Sequence, residues 1–225
     1  MASSKRNMSF HQARVVMAVV DLSFPVIGRQ LPIDHGYALY GAICRALGPL
    51  LHDRDAVGIV PIPGLRATPA TLSISERSRL RIRTPAEHIP ALLALAGKPL
   101  EIDGHRIRLG APQTFALTPA ASLAARLVTI KGFREPEPFL EAARRQLDAL
   151  SIRGKPSIPL RRTGVHAGKP LRRILRIKDK KVVGFAMVVS ELAAEESLTL
   201  QERGLGGRRH MGCGLFVPWK RLERS

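Results

Sequence analysis

The sequence is poor in cysteine, in aromatic residues and in acidic residues. Its two cysteines, Cys44 and Cys213, are too few for a disulfide framework or a structural zinc site. No apolar run approaches the roughly 18 residues that a membrane helix needs. The apolar run at residues 15–20 is short for a secretory signal. We therefore expect a cytoplasmic protein that binds no membrane, no metal and no other cofactor.

The shortage of acidic residues leaves a large positive charge. Lys and Arg number 36 against 18 Asp and Glu, so the formal charge of the 225-residue chain is +18. The excess is concentrated in residues 153–181, which contain eleven Lys or Arg and one acid, Asp179. Such a charge on a chain with 45% hydrophobic residues predicts a folded protein with a polyanionic partner, and nucleic acid is the first candidate.

The hydrophobic pattern divides the chain into two similar halves. Each half is predicted to run strand–helix–strand–strand–helix–strand, which is the order of a ferredoxin-like (split βαβ) fold. We expect an α+β protein with two tandem ferredoxin-like domains, at residues 1–120 and 121–225, each with an antiparallel sheet covered by helices on one face.

The elements of the first half follow from spacing and capping signals. We predict a strand at residues 15–24 and a helix that Asp34 caps and that ends near His52. Its apolar face contains Tyr37, Tyr40, Cys44 and Leu47 at spacings of three and four. Alternation predicts strands at 72–74 and 80–82, a capping box predicts a short helix from Thr84, and residues 100–109 resemble a hairpin.

The second half has the clearest hairpin in the chain. We predict a strand at residues 123–130, a helix over 139–150, a hairpin formed by 171–177 and 182–189, a helix at 194–203 and a last strand at 215–217. If 171–178 is a strand, Arg172, Arg176 and Lys178 share one face with Ile174.

Residues 204–214 form the most distinctive segment, which we call the glycine-rich loop. Five glycines enclose two arginines and a histidine. Glycine lets a backbone approach a ligand closely, and backbone N–H groups beside arginines suit phosphate oxygens. The members predicted to bind are Gly204, Gly206, Gly207, Arg208, Arg209, His210, Gly212 and Gly214.

The tandem halves, this loop before the last strand and the high charge resemble the RAMP proteins of CRISPR systems. Within them, the chain resembles the endoribonuclease that cuts CRISPR repeat RNA in Cascade-type systems, and residues 31–47 with His52 resemble that family's first helix. The resemblance implies cleavage without metal: the 2′-hydroxyl attacks the adjacent phosphate and leaves a 2′,3′-cyclic phosphate and a 5′-hydroxyl. It also implies CRISPR repeat RNA, and other Cas proteins of an effector complex, as partners.

Three residues are candidates for catalysis. His52 matches the position of the family's acid/base residue, and His35 matches the position used in some family branches. Histidine titrates near neutral pH and can serve in either proton transfer. The family's assisting lysine has no clean match, and Arg54 is the nearest substitute for electrostatic stabilisation. Tyr37, Tyr40 and Cys44 are predicted to pack in the core.

RNA binding is predicted mainly in the basic region of the second half. Aromatic residues make up 4% of the chain, so phosphate and shape contacts to a hairpin are favoured over base stacking. The predicted contacts outside the glycine-rich loop are Arg161, Arg162, His166, Lys169, Arg172, Arg173, Arg176 and Lys178.

Two other functions remain open from the sequence. One is a RAMP-type subunit that holds guide RNA without cutting it, and the other is a general RNA-binding protein with no preference for a repeat hairpin. A metal-dependent nuclease is disfavoured, because no cluster of Asp, Glu and His has ligand spacing.

Overall fold

The computed structural model describes residues 18–48 and 57–219. These residues form four α-helices: α1 (Gly36–Leu47), α2 (Ile89–Leu93), α3 (Pro136–Ala149) and α4 (Ala194–Arg203). The strands before the chain midpoint are β1 (Val19–Gly28), β2 (Gln30–Pro32), β3 (Gly58–Val60), β4 (Leu65–Arg66), β5 (Thr71–Ser73), β6 (Arg79–Pro85), β7 (Pro99–Ile102), β8 (His105–Leu109) and β9 (Gln113–Ala116). The later strands are β10 (Leu123–Val128), β11 (Lys155–Ser157), β12 (Arg172–Ile177), β13 (Lys180–Ser190) and β14 (Val217–Pro218).

The first sheet has the strand order of a ferredoxin-like fold. Its strands lie in the order β3-β6-β1-β8-β7, all pairs are antiparallel, and β9 also pairs with β1. Leu22 and Phe24 of β1 and Leu80 and Ile82 of β6 are buried in one core with α1. A small separate sheet, β2-β5-β4, lies beside this layer.

The second sheet repeats the arrangement. Its order is β11-β13-β10-β14, with β12 paired to the outer part of the long strand β13. Phe139 of α3 and Phe185 of β13 pack with ring centroids 4.9 Å apart in the core on the helix side. The α+β class and the two antiparallel sheets confirm the predicted fold, whereas the boundary at residue 120 stays a prediction.

The elements of the second half match the sequence interpretation closely. The hairpin of β12 and β13 and helix α4 are where the pattern predicts them, with Lys178 at a φ of 52° in the turn. The last strand is shorter than expected and starts later, because only Val217 and Pro218 pair with β10, while Leu215 and Phe216 are buried ahead of it.

Four predictions in the first half are wrong. Helix α1 ends at Leu47, because Gly48 has a φ of 59° there, and its N-cap residue is His35 and not Asp34. Strand β6 continues to Pro85, so a 3-10 turn at Ala86–His88 replaces the predicted capping box. Tyr40 is buried as predicted, but Tyr37 is half-buried and lines a cavity.

A buried arginine joins the two halves of the chain. Arg83 of β6 is 1% exposed, and its Nε and Nη2 donate to the two oxygens of Asp21 at 2.8 and 3.0 Å. Its Nη1 donates to the carbonyl oxygens of Gln201 and Phe216 in the second half, at 2.9 and 2.6 Å. The guanidinium therefore satisfies polar groups on both sides of the junction.

Candidate nucleic-acid interface

An exposed loop at residues 161–169 carries much of the basic surface. The Arg161 N–H donates to the Lys169 carbonyl at 2.9 Å, and the Gly168 N–H donates to the Arg161 carbonyl at 2.9 Å, so the loop closes on itself. Every residue in it is exposed, including Arg161, Arg162, His166 and Lys169. The loop therefore presents cations to solvent on a closed backbone.

The arginines of strand β12 lie in different environments. Arg172 is held by Glu135, with Nη2 to Oε1 at 3.0 Å, and its guanidinium lies over the Phe185 ring at 5.5 Å. Arg176 and Lys178 instead line a cavity of about 650 Å³ next to α1, together with Ile174. The predicted common face thus holds for Ile174, Arg176 and Lys178, while Arg172 neutralises an acid.

Asp34 connects the two halves at this cavity. Its Oδ2 accepts the backbone N–H of Arg176 at 2.8 Å. Burial raises the pKa of this carboxyl, although the Arg176 N–H and the charges of Arg126 and Arg176 oppose the shift. Asp34 therefore fixes the end of β12 against the start of α1, which explains why it does not cap the helix.

His35 is a buried histidine with partners on both ring nitrogens. Its Nδ1 lies 2.6 Å from the Pro32 carbonyl oxygen, and its Nε2 accepts the Ile62 N–H at 3.0 Å. These partners require the neutral ring with its proton on Nδ1. His35 is 1% exposed, and this burial lowers its pKa, which also favours the neutral ring. His35 thus links Pro32, just before α1, to Ile62 in the segment 61–64.

The glycine-rich loop does not present its glycine N–H groups to a ligand, so that part of the sequence interpretation is wrong. The Gly204, Gly206 and Gly207 amides donate to the Leu200 carbonyl, the Gln146 Oε1 and the Thr129 carbonyl. The Gly212 and Gly214 amides donate to the Arg209 and Leu127 carbonyls. All five glycine N–H groups are therefore used within the protein.

Close backbone packing explains the glycines instead. A Cβ on Gly206, whose φ is 70°, would lie 2.2 Å from the Thr129 carbonyl oxygen. A Cβ on Gly214, whose φ is 67°, would lie 2.0 Å from the Leu205 carbonyl oxygen. Cys213, which precedes Gly214, is buried, and burial raises the pKa of its thiol to about 11. The glycine-rich loop thus packs closely, through its backbone, against the residues that follow β10.

The charged residues of the loop have different environments. Arg208 is exposed, with a φ of 66°, at the start of the 3-10 turn Arg209–Met211. Arg209 donates to the Glu202 carbonyl at the end of α4, at 2.6 Å. The His210 ring packs on Tyr40, with centroids 4.6 Å apart. Of the three, only Arg208 is directed to solvent.

The sequence interpretation missed Arg126 of β10. Its charge acts on Asp34, His35, Arg173 and Cys213, so it lies at the centre of the junction. Alternation along β10 could have identified it, because Arg126 follows buried Ala125 on a strand that contacts the other half.

His52 and Arg54 lie outside the described residues, in the segment 49–56 that follows α1. Within the described ranges, no three His, Cys, Asp or Glu side chains form a group suited to a metal ion. No helix there is long and apolar enough to cross a bilayer.

Comparison with known proteins identifies the family. Residues 20–221 match the family described as Cas6 Crispr. The chain belongs to the Cas6 family. A relative from Myxococcus xanthus, named CRISPR-associated endonuclease Cas6, is 46% identical over 209 residues, which cover 93% of this chain and 85% of the relative.

Solved structures of Cas6 proteins confirm the fold at low sequence identity. One, named CRISPR associated protein Cas6, gives a TM-score of 0.61 at 12% identity and covers 90% of this chain and 100% of its own. Another, a Cas6-related protein from Pyrococcus furiosus, gives 0.62 at 14% identity, with 92% and 100% covered.

Proposed function

We propose that this Cas6-family protein is an endoribonuclease that matures CRISPR RNA by cutting repeat RNA. The observation that carries the proposal is the relative named an endonuclease, which is 46% identical over almost the whole chain. The exposed basic loop at 161–169 supports RNA as the substrate. With repeat RNA as its substrate, the protein is proposed to act in the cytoplasm, and other Cas proteins of an effector complex are its proposed partners.

The basic side chains suit contacts to the backbone of an RNA hairpin. Arg161, Arg162, Lys169 and Arg208 are exposed, and none of them has an ion-pair partner among the described residues. Stem recognition depends mainly on phosphates and shape, since the major groove of A-form RNA is deep and narrow. If six to ten phosphates are contacted, affinity falls about 10³–10⁵-fold between 50 and 200 mM salt.

For the chemistry, we propose metal-independent attack of the 2′-hydroxyl on the adjacent phosphate, which breaks the bond to the 5′ oxygen of the next nucleotide. The attacking 2′-hydroxyl loses a proton and the leaving 5′ oxygen takes one up to become a hydroxyl; His52 serves in this proton transfer, and Arg54 stabilises the negative charge of the phosphorane. His35 is a poor alternative, because it is buried and both ring nitrogens have partners. We assign it a structural role.

The test is cleavage of the repeat RNA from the protein's own CRISPR locus, in excess EDTA. Wild type should cut this RNA, whereas His52→Ala should not cut it and should bind it with nearly unchanged affinity. His105→Ala is the matched control, because His105 belongs to the β7–β8 hairpin and its side chain bonds, among the described residues, only the carbonyl of Asp103. Arg54→Ala should slow cleavage without abolishing it.

The chemistry is tested with a 2′-deoxy substitution at the cut site, which should block cleavage and preserve binding. Cleavage that requires added metal, or that survives the 2′-deoxy substitution, would contradict the mechanism. Tight binding of the repeat without any cleavage would identify a guide-holding RAMP subunit. Equal affinity for unrelated hairpins would instead indicate a general RNA-binding protein.

A further inference from the structure

A second cavity lies where the small sheet meets the second half of the molecule. It has a volume of about 330 Å³ and is lined by Arg66 of β4, Arg126 of β10 and Arg173 of β12, and by the loop 61–64 that His35 holds. No acidic residue lines it. Three arginines from three strands therefore line one partly open cavity that has no carboxylate on its walls.

Two of the three arginines, Arg126 and Arg173, repel each other. Partial burial lowers the pKa of Arg173, and the charges of Arg126 and Arg161 lower it further. The carboxyl of Asp34, on which the charge of Arg126 acts, accepts the Arg176 N–H and lines the other cavity. Within the described ranges, no acid forms a salt bridge with any of the three lining arginines.

Each arginine retains donors for a ligand. Arg66 donates Nε and Nη2 to the Thr68 and Pro69 carbonyls, at 3.3 and 3.2 Å, which fixes its direction and leaves Nη1 for another acceptor. Arg126 makes one long contact, from Nη2 to the Ile33 carbonyl at 3.4 Å. The Arg173 guanidinium makes no hydrogen bond to the part of the chain that the structure describes. Guanidinium groups match phosphate oxygens in geometry and charge.

We propose that Arg66, Arg126 and Arg173 form a binding site for a backbone phosphate of the RNA, at the junction of the small sheet and the second half. This assignment depends on the proposed function for the identity of the ligand as RNA. The ligand group is a phosphate in either case, and the alternative to a phosphate of the RNA backbone is free inorganic phosphate. A bound phosphate replaces repulsion among the arginines with attraction, and it contacts residues of both halves.

The first experiment measures anion binding without RNA. Thermal unfolding is followed for wild type and for Arg126→Gln with Arg173→Gln, in chloride and in inorganic pyrophosphate at equal ionic strength. The control is Arg144→Gln with Arg153→Gln, which removes the same charge from exposed positions on α3 and the loop after it. Wild type and the control should unfold at a higher temperature in pyrophosphate, and the site variant should not.

The same scans test the repulsion directly. In chloride, the site variant should unfold at a temperature equal to or above that of wild type, because two of the clustered charges are gone. A lower unfolding temperature in chloride, or equal stabilisation of all three proteins by pyrophosphate, would overturn the site.

The second experiment measures affinity for the repeat RNA with a 2′-deoxy cut site, so it does not depend on cleavage. The site variant should lose at least about 10-fold in affinity relative to the control variant, and its slope of log K against log salt should be smaller by about one for each lost phosphate contact. Arg126→Lys with Arg173→Lys should lose less, since it keeps the charge.

The outcomes separate this site from the proposed function. Stabilisation by pyrophosphate with no specific loss of RNA affinity would assign the site to free phosphate and overturn the RNA assignment. Equal RNA affinity of the site and control variants would reduce the effect to net charge. Failure of wild type to cut its repeat RNA would count against the nuclease and leave both binding experiments interpretable.

Discussion

Replacing Arg83 tests how strongly one buried guanidinium holds the two halves together. Arg83→Met keeps the apolar stem of the side chain and removes all four hydrogen bonds of the guanidinium. Asp21 then stays in the junction, 7% exposed, with Arg81 as its remaining cation at 3.9 Å. The Gln201 and Phe216 carbonyls lose a donor as well.

The expected loss follows from what is left without a partner. Removing one member of a buried ion pair typically costs about 3–5 kcal/mol, chiefly because the other charge stays buried. Arg81→Met is the matched control on the same strand. The Arg81 side chain is 42% exposed and its contact with Asp21 is long, so we expect a loss below about 1 kcal/mol.

Urea unfolding measures both losses, with Trp219 fluorescence and far-UV circular dichroism as the two signals. Trp219 is the sole tryptophan and lies next to the second sheet, where its backbone N–H donates to the Ser122 carbonyl. For a slope of about 2 kcal/mol per molar urea, the Arg83→Met midpoint should fall by about 1.5–2.5 M. Equal losses for Arg83→Met and Arg81→Met would refute the reasoning.

Two further predictions concern the junction. The free energy of unfolding should decrease as pH falls below about 6.5, because the pKa of His35 is lowered in the folded protein and the unfolded chain takes up the proton first. The contribution of His35 has a slope of at most about 1.4 kcal/mol per pH unit. It is measured as the difference in the free energy of unfolding between wild type and His35→Gln. A His35→Gln variant with the wild-type pH dependence would contradict this. Gly206→Ala should lower stability by about 1–3 kcal/mol in urea, because its Cβ would meet the Thr129 carbonyl at a positive φ, whereas Gly207→Ala should be tolerated, since nothing lies within 4 Å of its added Cβ. Similar losses for both glycine variants would contradict the packing argument.

The parts of the fold that the sequence predicted are those governed by local pattern. The β12–β13 hairpin and α4 could be identified because alternation, a turn and a terminal glycine agree there. Asp34 was misassigned as the N-cap residue because its carboxylate accepts a different hydrogen bond. The donor is the backbone N–H of Arg176, which lies 142 residues away in the sequence. No local signal reports such a contact.

The candidate site was predicted less well than the fold, for a similar reason. The basic loop at 161–169 is exposed as its composition suggests. The glycine N–H groups of the glycine-rich loop, however, bond within the protein, whereas they were expected to face a ligand. Its glycines allow Thr129 and Leu205 to approach, and both contacts depend on tertiary packing. Arg126 was missed because alternation along β10 indicates only that its side chain lies outside the core, and not which residues of the other half it meets.

The contact between α1 and the glycine-rich loop has a consequence for modularity. A Cβ on Gly36 would lie 2.4 Å from the Met211 carbonyl oxygen, so the first turn of α1 and the loop touch through backbone atoms. Leu127, Leu175 and Cys213 form an apolar cluster beside this contact, with Met211 packed against it. If the chain were cut between β9 and β10, this cluster would lose its cover from α1, and Arg83 would lose the carbonyls that it binds. The two halves share one fold topology, yet neither should be obtainable as a stable fragment, and the duplicated architecture should unfold as one cooperative unit.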